Sequence, residues 1–254
     1  MNSKAAIYPS LANKRVIVSG GGSGIGASIV EHFARQGARV AFVDVQDEAS
    51  KKVCEGLADC DHPPVFRHCD VSDANAYQDC LAGLIGDLSG CDILVNNAAN
   101  DDRHTLAEVT PEYWDKRLAV NLKHKFFAAK AVAPAMKRAG GGSIINLGSI
   151  SWHLGLENLA IYQTAKAAVE GLTRSLAREL GRDNIRVNSI LPGNVQTPRQ
   201  QNWYTAEGEA KIVEAQCLNG RIQPSDIAAM ALFLASDDAR FCTAHNYWVD
   251  AGWR

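Results

Sequence analysis

No apolar run in this sequence approaches the ~18 residues of a membrane-spanning helix, so a transmembrane helix is not expected. Met1 to Pro9 has no apolar core of the kind a secretory leader carries. Neither sign of charge dominates: 26 Lys and Arg stand against 28 Asp and Glu, a formal net charge of −2. A basic face of the sort that grips nucleic acid is therefore not expected. There are seven cysteines, an odd number, and no Cys-x-x-Cys pair. Reduced, mostly buried thiols in a cytoplasmic protein are the simplest reading. The densest group of metal-ligating residue types is Cys60, His62, His68 and Cys69. One residue between Cys60 and His62 is poor spacing for a structural zinc, and no metal is expected. Linkers and internal repeats are also missing. The 254 residues, 46% hydrophobic and 21% charged, read as one globular domain with ample chain for a large core.

What is present is a regular alternation. Residues 1–13 read as a loose arm. Val16 to Val18 is a short apolar run, a first strand, followed by Ser19-Gly20-Gly21-Gly22-Ser23-Gly24-Ile25-Gly26. The next apolar positions, Ile29, Val30, Phe33 and Ala34, recur at helical spacing until Gly37. Strand, Gly-rich turn and helix put main-chain N–H groups and a helix N-terminus against a pyrophosphate. Gly20, Ser23, Gly24, Ile25 and Gly26 are therefore candidate cofactor-binding residues, although Gly20-x-x-x-Gly24-x-Gly26 differs from the usual G-x-G-x-x-G spacing. A second strand, Val40 to Val43, ends at Asp44. A carboxylate there can accept from both adenosine ribose hydroxyls and repels a 2′-phosphate. No Lys or Arg stands at 20–24 or 45, so NAD rather than NADP is expected.

A helix over about 48–58 and a Pro63-Pro64 turn precede the third strand, Val65 to Cys69. Asp70, followed by Val71, is placed to meet the adenine amino group. Alternatively it caps the next helix, a role for which Ser72 and Asp73 compete. That helix runs to about Leu88. The fourth strand, Asp92 to Val95, ends in Asn96-Asn97-Ala98-Ala99. The polar run Asn100-Asp101-Asp102-Arg103-His104 follows, where open α/β sheets bind ligands. Thr110 caps and Pro111 starts a long helix that carries Asn121 and ends near Gly140. Gly142 to Leu147 is the fifth strand, Ile185 to Ile190 the sixth, and Tyr247 to Val249 the last. Another helix runs from Pro224 to about Ala235. Residues 199–217, with Arg199, Trp203 and Tyr204, lack a strong core face and read as a mobile lid. The expected fold class is α/β: a single-domain Rossmann fold, a doubly wound parallel sheet of about seven strands with helices on both faces.

The chain is organised around Ser149 to Lys166. Tyr162 and Lys166 share one helix face, with Ala165, Val169, Leu172, Leu176 and Leu180 continuing the helical pattern. A phenol ionises near pH ~10, and lowering that to about 7 takes roughly 4 kcal/mol of differential stabilisation. A neighbouring ammonium in a partly desolvated cleft, helped by a nicotinamide's positive charge, works in that direction. Ser149 offers a hydroxyl to hold a reacting oxygen. Taken alone, Tyr-x-x-x-Lys is more often an incidental surface pair; the N-terminal glycines favour chemistry.

Together, Gly20-x-x-x-Gly24-x-Gly26, Asp44, Asn96-Asn97-Ala98, Asn121, Ser149, Tyr162-x-x-x-Lys166 and Pro192-Gly193 resemble the short-chain dehydrogenase/reductase family over the whole chain. Ala99 departs from the family's usual Gly, and Ser19 from its common Thr. The resemblance implies that Tyr162 is the base in oxidation, that Lys166 lowers its pKa and holds the nicotinamide ribose, and that Ser149 holds the substrate oxygen. It implies that Asn121 holds a water in a proton relay through Lys166, and that Asn97, Ala98 and Ala99 lie beside the cofactor. Pro192, Gly193, Val195 and Thr197 would line the nicotinamide amide. A homotetramer is implied as well.

More specific strings, Asn100 to His104, Ser151 to Glu157, Pro192 to Val195, Trp203 to Thr205 and Ala251 to Arg254, are similar to the family's bacterial D-xylose 1-dehydrogenases. That implies oxidation of an aldose at C1 to an aldonolactone. A sugar needs convergent polar groups and an aromatic platform. The candidate substrate residues are Asn100, Asp102, Ser149, Trp152, His153, Tyr162, Asn194, Arg199 and Trp203, with His153 foremost; Asp101, Arg103 and Tyr204 also stand at the expected edges, and Trp253 and Arg254 serve either the substrate or a subunit contact. Rival readings are a dehydrogenase of L-arabinose, L-fucose, L-rhamnose or a polyol, a 3-oxoacyl thioester reductase, and a nucleotide-sensing binding protein without turnover.

Overall fold

The apolar runs form seven strands: β1 (Arg15–Ser19), β2 (Arg39–Asp44), β3 (Val65–His68), β4 (Ile93–Asn96), β5 (Gly142–Leu147), β6 (Ile185–Pro192) and β7 (Asn246–Val249). In the computed structural model, which describes residues 6–201 and 205–253, they make one parallel sheet in the order β3-β2-β1-β4-β5-β6-β7. The runs are nearly continuous because both sheet faces are covered. Val16 and Val18 join the core on one face and Ile17 the core on the other.

Ten helices are described: α1 (Gly24–Arg35), α2 (Asp47–Glu55), α3 (Ala74–Asp87), α4 (Pro111–Leu118), α5 (His124–Arg138), α6 (Ser151–Leu154), α7 (Ala160–Leu180), α8 (Pro198–Gln201), α9 (Ala206–Glu214) and α10 (Pro224–Ala235). Ile29, Val30 and Phe33 of α1 pack with Ile227 and Leu232 of α10. Tyr77 and Leu81 of α3, Val132 and Met136 of α5 and Leu176 of α7 pack on the opposite face. Burying a side chain such as Phe33 or Val132 contributes roughly 1.5–3 kcal/mol. Among the described residues no helix is long and apolar enough to cross a membrane.

The chain leaves β1 toward β2 and β3, then returns to place β4 on the other side of β1. That reversal opens a crevice at the carboxyl ends of β1 and β4, the usual place for a ligand in such sheets.

Several local expectations need correction. The arm is docked from residue 6 onward: Tyr8 N donates to Gln36 Oε1 at 2.8 Å, and Leu11 is fully buried. The helix expected over about 48–58 ends at Glu55. The long helix carrying Asn121 is broken by a π turn, Ala119–Lys123. Within 199–217, Thr205 Oγ1 caps α9 by accepting from Gly208 N, and Ile212 is buried. Arg221 ties α9 down through Glu209. Part of that segment is thus anchored to the body.

Candidate active site

The first half of the crevice is built from backbone. Gly20 takes a φ of +70°, and its N–H donates to Val43 O at 2.7 Å. Asn97 Nδ2 donates to Gly20 O at 2.8 Å, while Ser19 Oγ accepts from Asn97 N and Ala98 N at 3.1 Å each. The Ser at position 19 therefore supplies the hydroxyl that joins the tips of β1 and β4. A Cβ on Gly26 would lie 1.8 Å from Gly20 O, so only glycine lets α1 close against the turn. Ser23, Gly24 and Ile25 bring the N-terminus of α1 to the crevice wall. Ala99 stays out of the left-handed region, so the missing glycine strains nothing there.

Asp44, at the tip of β2, is buried. Its Oδ2 accepts from Gly22 N at 2.8 Å and its Oδ1 from Gln46 N at 3.0 Å. Each oxygen keeps a further lone pair for a ribose hydroxyl. Asp73 caps α3 by accepting from Asn75 N and Ala76 N, which leaves Asp70 outside the cap. Asp70 and the buried Val71 line the crevice, as do Asn97, Ala98 and Ala99. The lysines and arginines among the described lining residues are Arg103, Lys116, Arg117, Lys166 and Arg199, all in or after the β4–α4 loop. The cradle at Gly26 and the carboxylate at Asp44 thus fit a dinucleotide. The crevice encloses about 1030 Å³ and continues without a break into the second half.

That second half is built from side chains. β5 delivers Ser149, whose Oγ donates to Ser151 Oγ at 3.0 Å and accepts from Ser151 N at 3.1 Å. Tyr162 and Lys166 come from the N-terminal half of α7 on one face. Lys166 Nζ lies 5.3 Å from the Tyr162 ring centroid and donates to Leu147 O at 2.8 Å. Burial draws the Lys166 pKa down to about 8. The Tyr162 phenol is displaced upward from its ordinary value. Burial pushes it up and the Asp101 carboxylate adds to that, while the Ser149 hydroxyl and the Arg199 charge pull it down. The Lys166 ammonium faces the ring and Leu147 O.

Asn121 is fully buried in the π turn. Its Nδ2 donates to Arg117 O and Asn100 O, and its Oδ1 accepts from Asn100 N, all at 2.9 Å. In an α-helix the main chain of residue 121 would take the Arg117 carbonyl; here the side chain does. Both amide hydrogens are committed, so the water-holding role implied for this residue does not fall to its N–H groups. The side-chain amide clamps the loop after β4. π turns recur at functional sites.

The loop at 100–103 carries the charged edge. Asp102 Oδ2 accepts from Arg117 Nη1 at 3.0 Å, and Asp102 Oδ1 from Arg199 Nη2 at 2.7 Å. Burial alone would raise the Asp102 pKa, but the hydrogen bond from Arg117 and the charges of Arg199 and Arg117 hold it below the usual carboxylate range. Asn100, Asp102, Asn194 and Arg199 all line the crevice, with Pro192, Gly193, Val195 and Thr197 beside them. Asn194 Oδ1 also accepts from Arg221 Nη2 at 2.8 Å.

Trp152 and His153 do not line it. Both donate to Glu170 Oε1, at 2.6 and 3.0 Å, and the His153 ring lies 3.7 Å from Trp152 and 4.3 Å from Trp248. On the short α6, Ser151 and Leu154 share a face three residues apart and line the crevice, which turns 152 and 153 toward α7 and β7. Trp203 and Tyr204 lie outside the described residues.

Arg117 and Lys116 also line the crevice without having been expected there, and Trp253 lines it too, while Arg254 lies outside the described residues. Arg117 is 7% exposed and stacks over Tyr113, 5.3 Å from its ring centroid. The Tyr113-x-x-x-Arg117 spacing was the one available signal. Behind the crevice floor, the fully buried Lys125 donates to Asn96 O at 2.6 Å, and His124 Nε2 to Ala98 O at 3.1 Å. Burial, with the Lys166 charge, holds the Lys125 pKa well below its ordinary value. His62 contacts Asn13, and His68 pairs with Asp47, away from one another.

Residues 20–254 match a family model described as enoyl-(acyl carrier protein) reductase. The chain is 60% identical to D-xylose 1-dehydrogenase of Caulobacter vibrioides over 98% of its own length and 99% of that protein's. It is 48% identical to a Rhizobium meliloti protein named "Probable galactose dehydrogenase", over 96% of each chain. Among solved structures, a 7α-hydroxysteroid dehydrogenase complexed with NADH and 7-oxo glycochenodeoxycholic acid superposes with a TM-score of 0.91, at 30% identity and 96% coverage of each chain.

Proposed function

The chain belongs to the short-chain dehydrogenase/reductase family, and from that premise we propose that it oxidises an aldose at C1 to the aldonolactone with NAD as acceptor. D-xylose is the proposed substrate, from the name of the Caulobacter relative. One observation carries the reading: a single crevice runs from Asp44, past Ser149 and Tyr162, to the charged edge at 100–103 and Arg199. One end suits an adenosine, the middle suits proton transfer, and the other end suits a molecule rich in hydroxyls.

When bound, NAD supplies the hydride acceptor and a positively charged ring. Every other task falls to the chain. Asp44 takes the ribose hydroxyls, and its charge disfavours a 2′-phosphate. Asp70 and Val71 flank the adenine. Ser149, oriented by Ser151, holds the C1 hydroxyl of the cyclic sugar. Tyr162 removes the proton of that hydroxyl as the C1 hydride leaves. Lys166 holds the nicotinamide ribose and adds positive potential beside the phenol. Asn97 to Ala99, together with Pro192, Gly193, Val195 and Thr197, frame the nicotinamide. Asn121 positions the loop after β4. The chain thus contributes placement, proton transfer and exclusion of water.

A homotetramer in the cytoplasm completes the proposal. Trp114, Phe126 and Phe241 expose 40, 46 and 90% of their surface and offer apolar contacts for other copies. The test is NADH formation at pH 8 with D-xylose, L-arabinose, D-galactose, D-glucose, L-fucose, L-rhamnose, xylitol and a simple secondary alcohol, each with NAD and NADP. Turnover of aldoses with NAD, D-xylose foremost, is expected. Turnover of xylitol or the simple alcohol alone would overturn the substrate class, and a preference for NADP the role of Asp44.

A further inference from the structure

Two adjacent carboxylates stand at the substrate end of the crevice, and they are held very differently. Asp102 has both oxygens engaged by guanidinium groups, Arg117 on one and Arg199 on the other. It is an anchor between α4 and α8. Among the described residues Asp101 pairs with Arg199 alone, with Nη2 at 3.1 Å from its Oδ1, and its side chain is 40% exposed. The same Nη2 faces Asp102 Oδ1 at 2.7 Å and Asn100 Oδ1 at 3.4 Å. That nitrogen carries two hydrogens and faces three oxygens, so the most loosely served acceptors keep capacity for another donor. Asp102 is the best served of the three.

Asp101 also lies close to the chemistry. It lines the same crevice as Ser149 and Tyr162, and its charge acts on both Tyr162 and Lys166. A carboxylate in that place is open to the hydroxyls of a substrate held between Ser149 and Tyr162. Carboxylates only accept hydrogen bonds when ionised, and sugar hydroxyls donate them. Arg199, brought by α8, holds the carboxylate in position and limits its rotation.

We propose that Asp101 is the residue that recognises the sugar, accepting hydrogen bonds from one or two hydroxyls next to C1 and so setting which aldoses are oxidised. Asp102 serves as its fixed support and makes no substrate contact. The assignment rests on the aldose reading given above and names the group that enforces it.

The experiment compares the wild type with Asp101→Asn and Asp101→Glu, using D-xylose and its 2-, 3- and 4-deoxy analogues with saturating NAD. NAD affinity is measured separately by fluorescence titration. Loss of a hydrogen bond to a charged acceptor predicts a roughly 10- to 100-fold fall in kcat/KM for D-xylose in Asp101→Asn. The same factor should shrink toward unity for the deoxy sugar that lacks the bonded hydroxyl. Asp101→Glu keeps the charge but displaces it, so it should also lose kcat/KM and change the ranking of aldoses. NAD affinity should stay unchanged. Near-wild-type kcat/KM for D-xylose in both variants would overturn the role of Asp101 and leave the aldose reading standing. So would a loss that is the same for every deoxy sugar, or one matched by weaker NAD binding. A wild type that oxidises no aldose would overturn the aldose reading itself, and this assignment with it.

Discussion

The two halves of the crevice solve the binding problem with different materials. The adenosine and pyrophosphate half is made of main chain: Gly20, Gly26, the tip of β1 and the N-terminus of α1, locked by Ser19 and Asn97. Its one essential charge is Asp44. The catalytic and substrate half is made of long side chains drawn from α4, α7, α8 and the loops after β4 and β5, with Lys166 and Arg117 buried and Tyr162 half-buried. Backbone geometry tolerates no added atoms but needs no particular partner. A buried charge tolerates some repacking but needs a partner for every oxygen and hydrogen. The first half should therefore fail by steric exclusion, and the second by lost proton transfer or unpaired charge.

The sharpest separation comes from Tyr162→Phe. Removing the base should lower kcat by about 10²–10⁴-fold, while NAD affinity by fluorescence titration stays within about threefold. Equal loss of both would show that the two halves are not separable. Gly26→Ala is the reciprocal change. A Cβ 1.8 Å from Gly20 O forces the turn open, and an overpacking penalty of about 1–3 kcal/mol predicts roughly 10- to 100-fold weaker NAD binding. Unaltered NAD affinity in that variant would mean that the turn is more yielding than its contacts indicate.

His153→Ala tests the correction at the edge of the second half. Losing the contact with Glu170 and the stack between Trp152 and Trp248 should lower Tm by several degrees, about 1–3 kcal/mol. The KM for D-xylose should stay within about threefold. A KM rise without loss of Tm would return His153 to the substrate.

Lys125→Met has the smallest expected effect. Its pKa in the fold lies below its unfolded value, so between the two the unfolded chain holds the extra proton and stability rises with pH. Methionine removes that slope, and Tm should rise by about 2–4 °C for each 1 kcal/mol gained, most at the acidic end. Loss of stability at every pH would show instead that the bond to Asn96 O outweighs the burial of the amine.

The difference between the halves also explains what could be read from the chain. The succession of strands along the chain and the Gly-rich turn follow from local runs, and β5 and α10 appear at the limits their sequences suggest. Gly20, Asp44, Ser149, Tyr162 and Lys166 stand at strand ends or on one helix face, so spacing alone brings them to the crevice. The π turn was invisible because Ala119–Lys123 continues a helical pattern without interruption. Arg117 and Lys125 look like the solvated face of a helix, and nothing local says that the loop at 100–102 or the Asn96 carbonyl will reach them. The orientation of Trp152 and His153 depends on whether one short turn of helix starts at 151, a detail that proximity to Ser149 does not determine. Tyr162 was placed correctly, but the direction of its pKa depends on burial and on Asp101, which lies 61 residues away in sequence.

The most direct test follows the carbon that reacts. The wild-type protein is incubated with D-xylose labelled with ¹³C at C1 and with NAD, while NADH is recorded by absorbance and C1 by NMR. Conversion of the C1 signal to a lactone carbonyl and then to a carboxylate, one NADH per sugar, is the predicted result. NADH formation with C1 still at the hemiacetal position and a new carbonyl elsewhere, or no NADH at all, would contradict it.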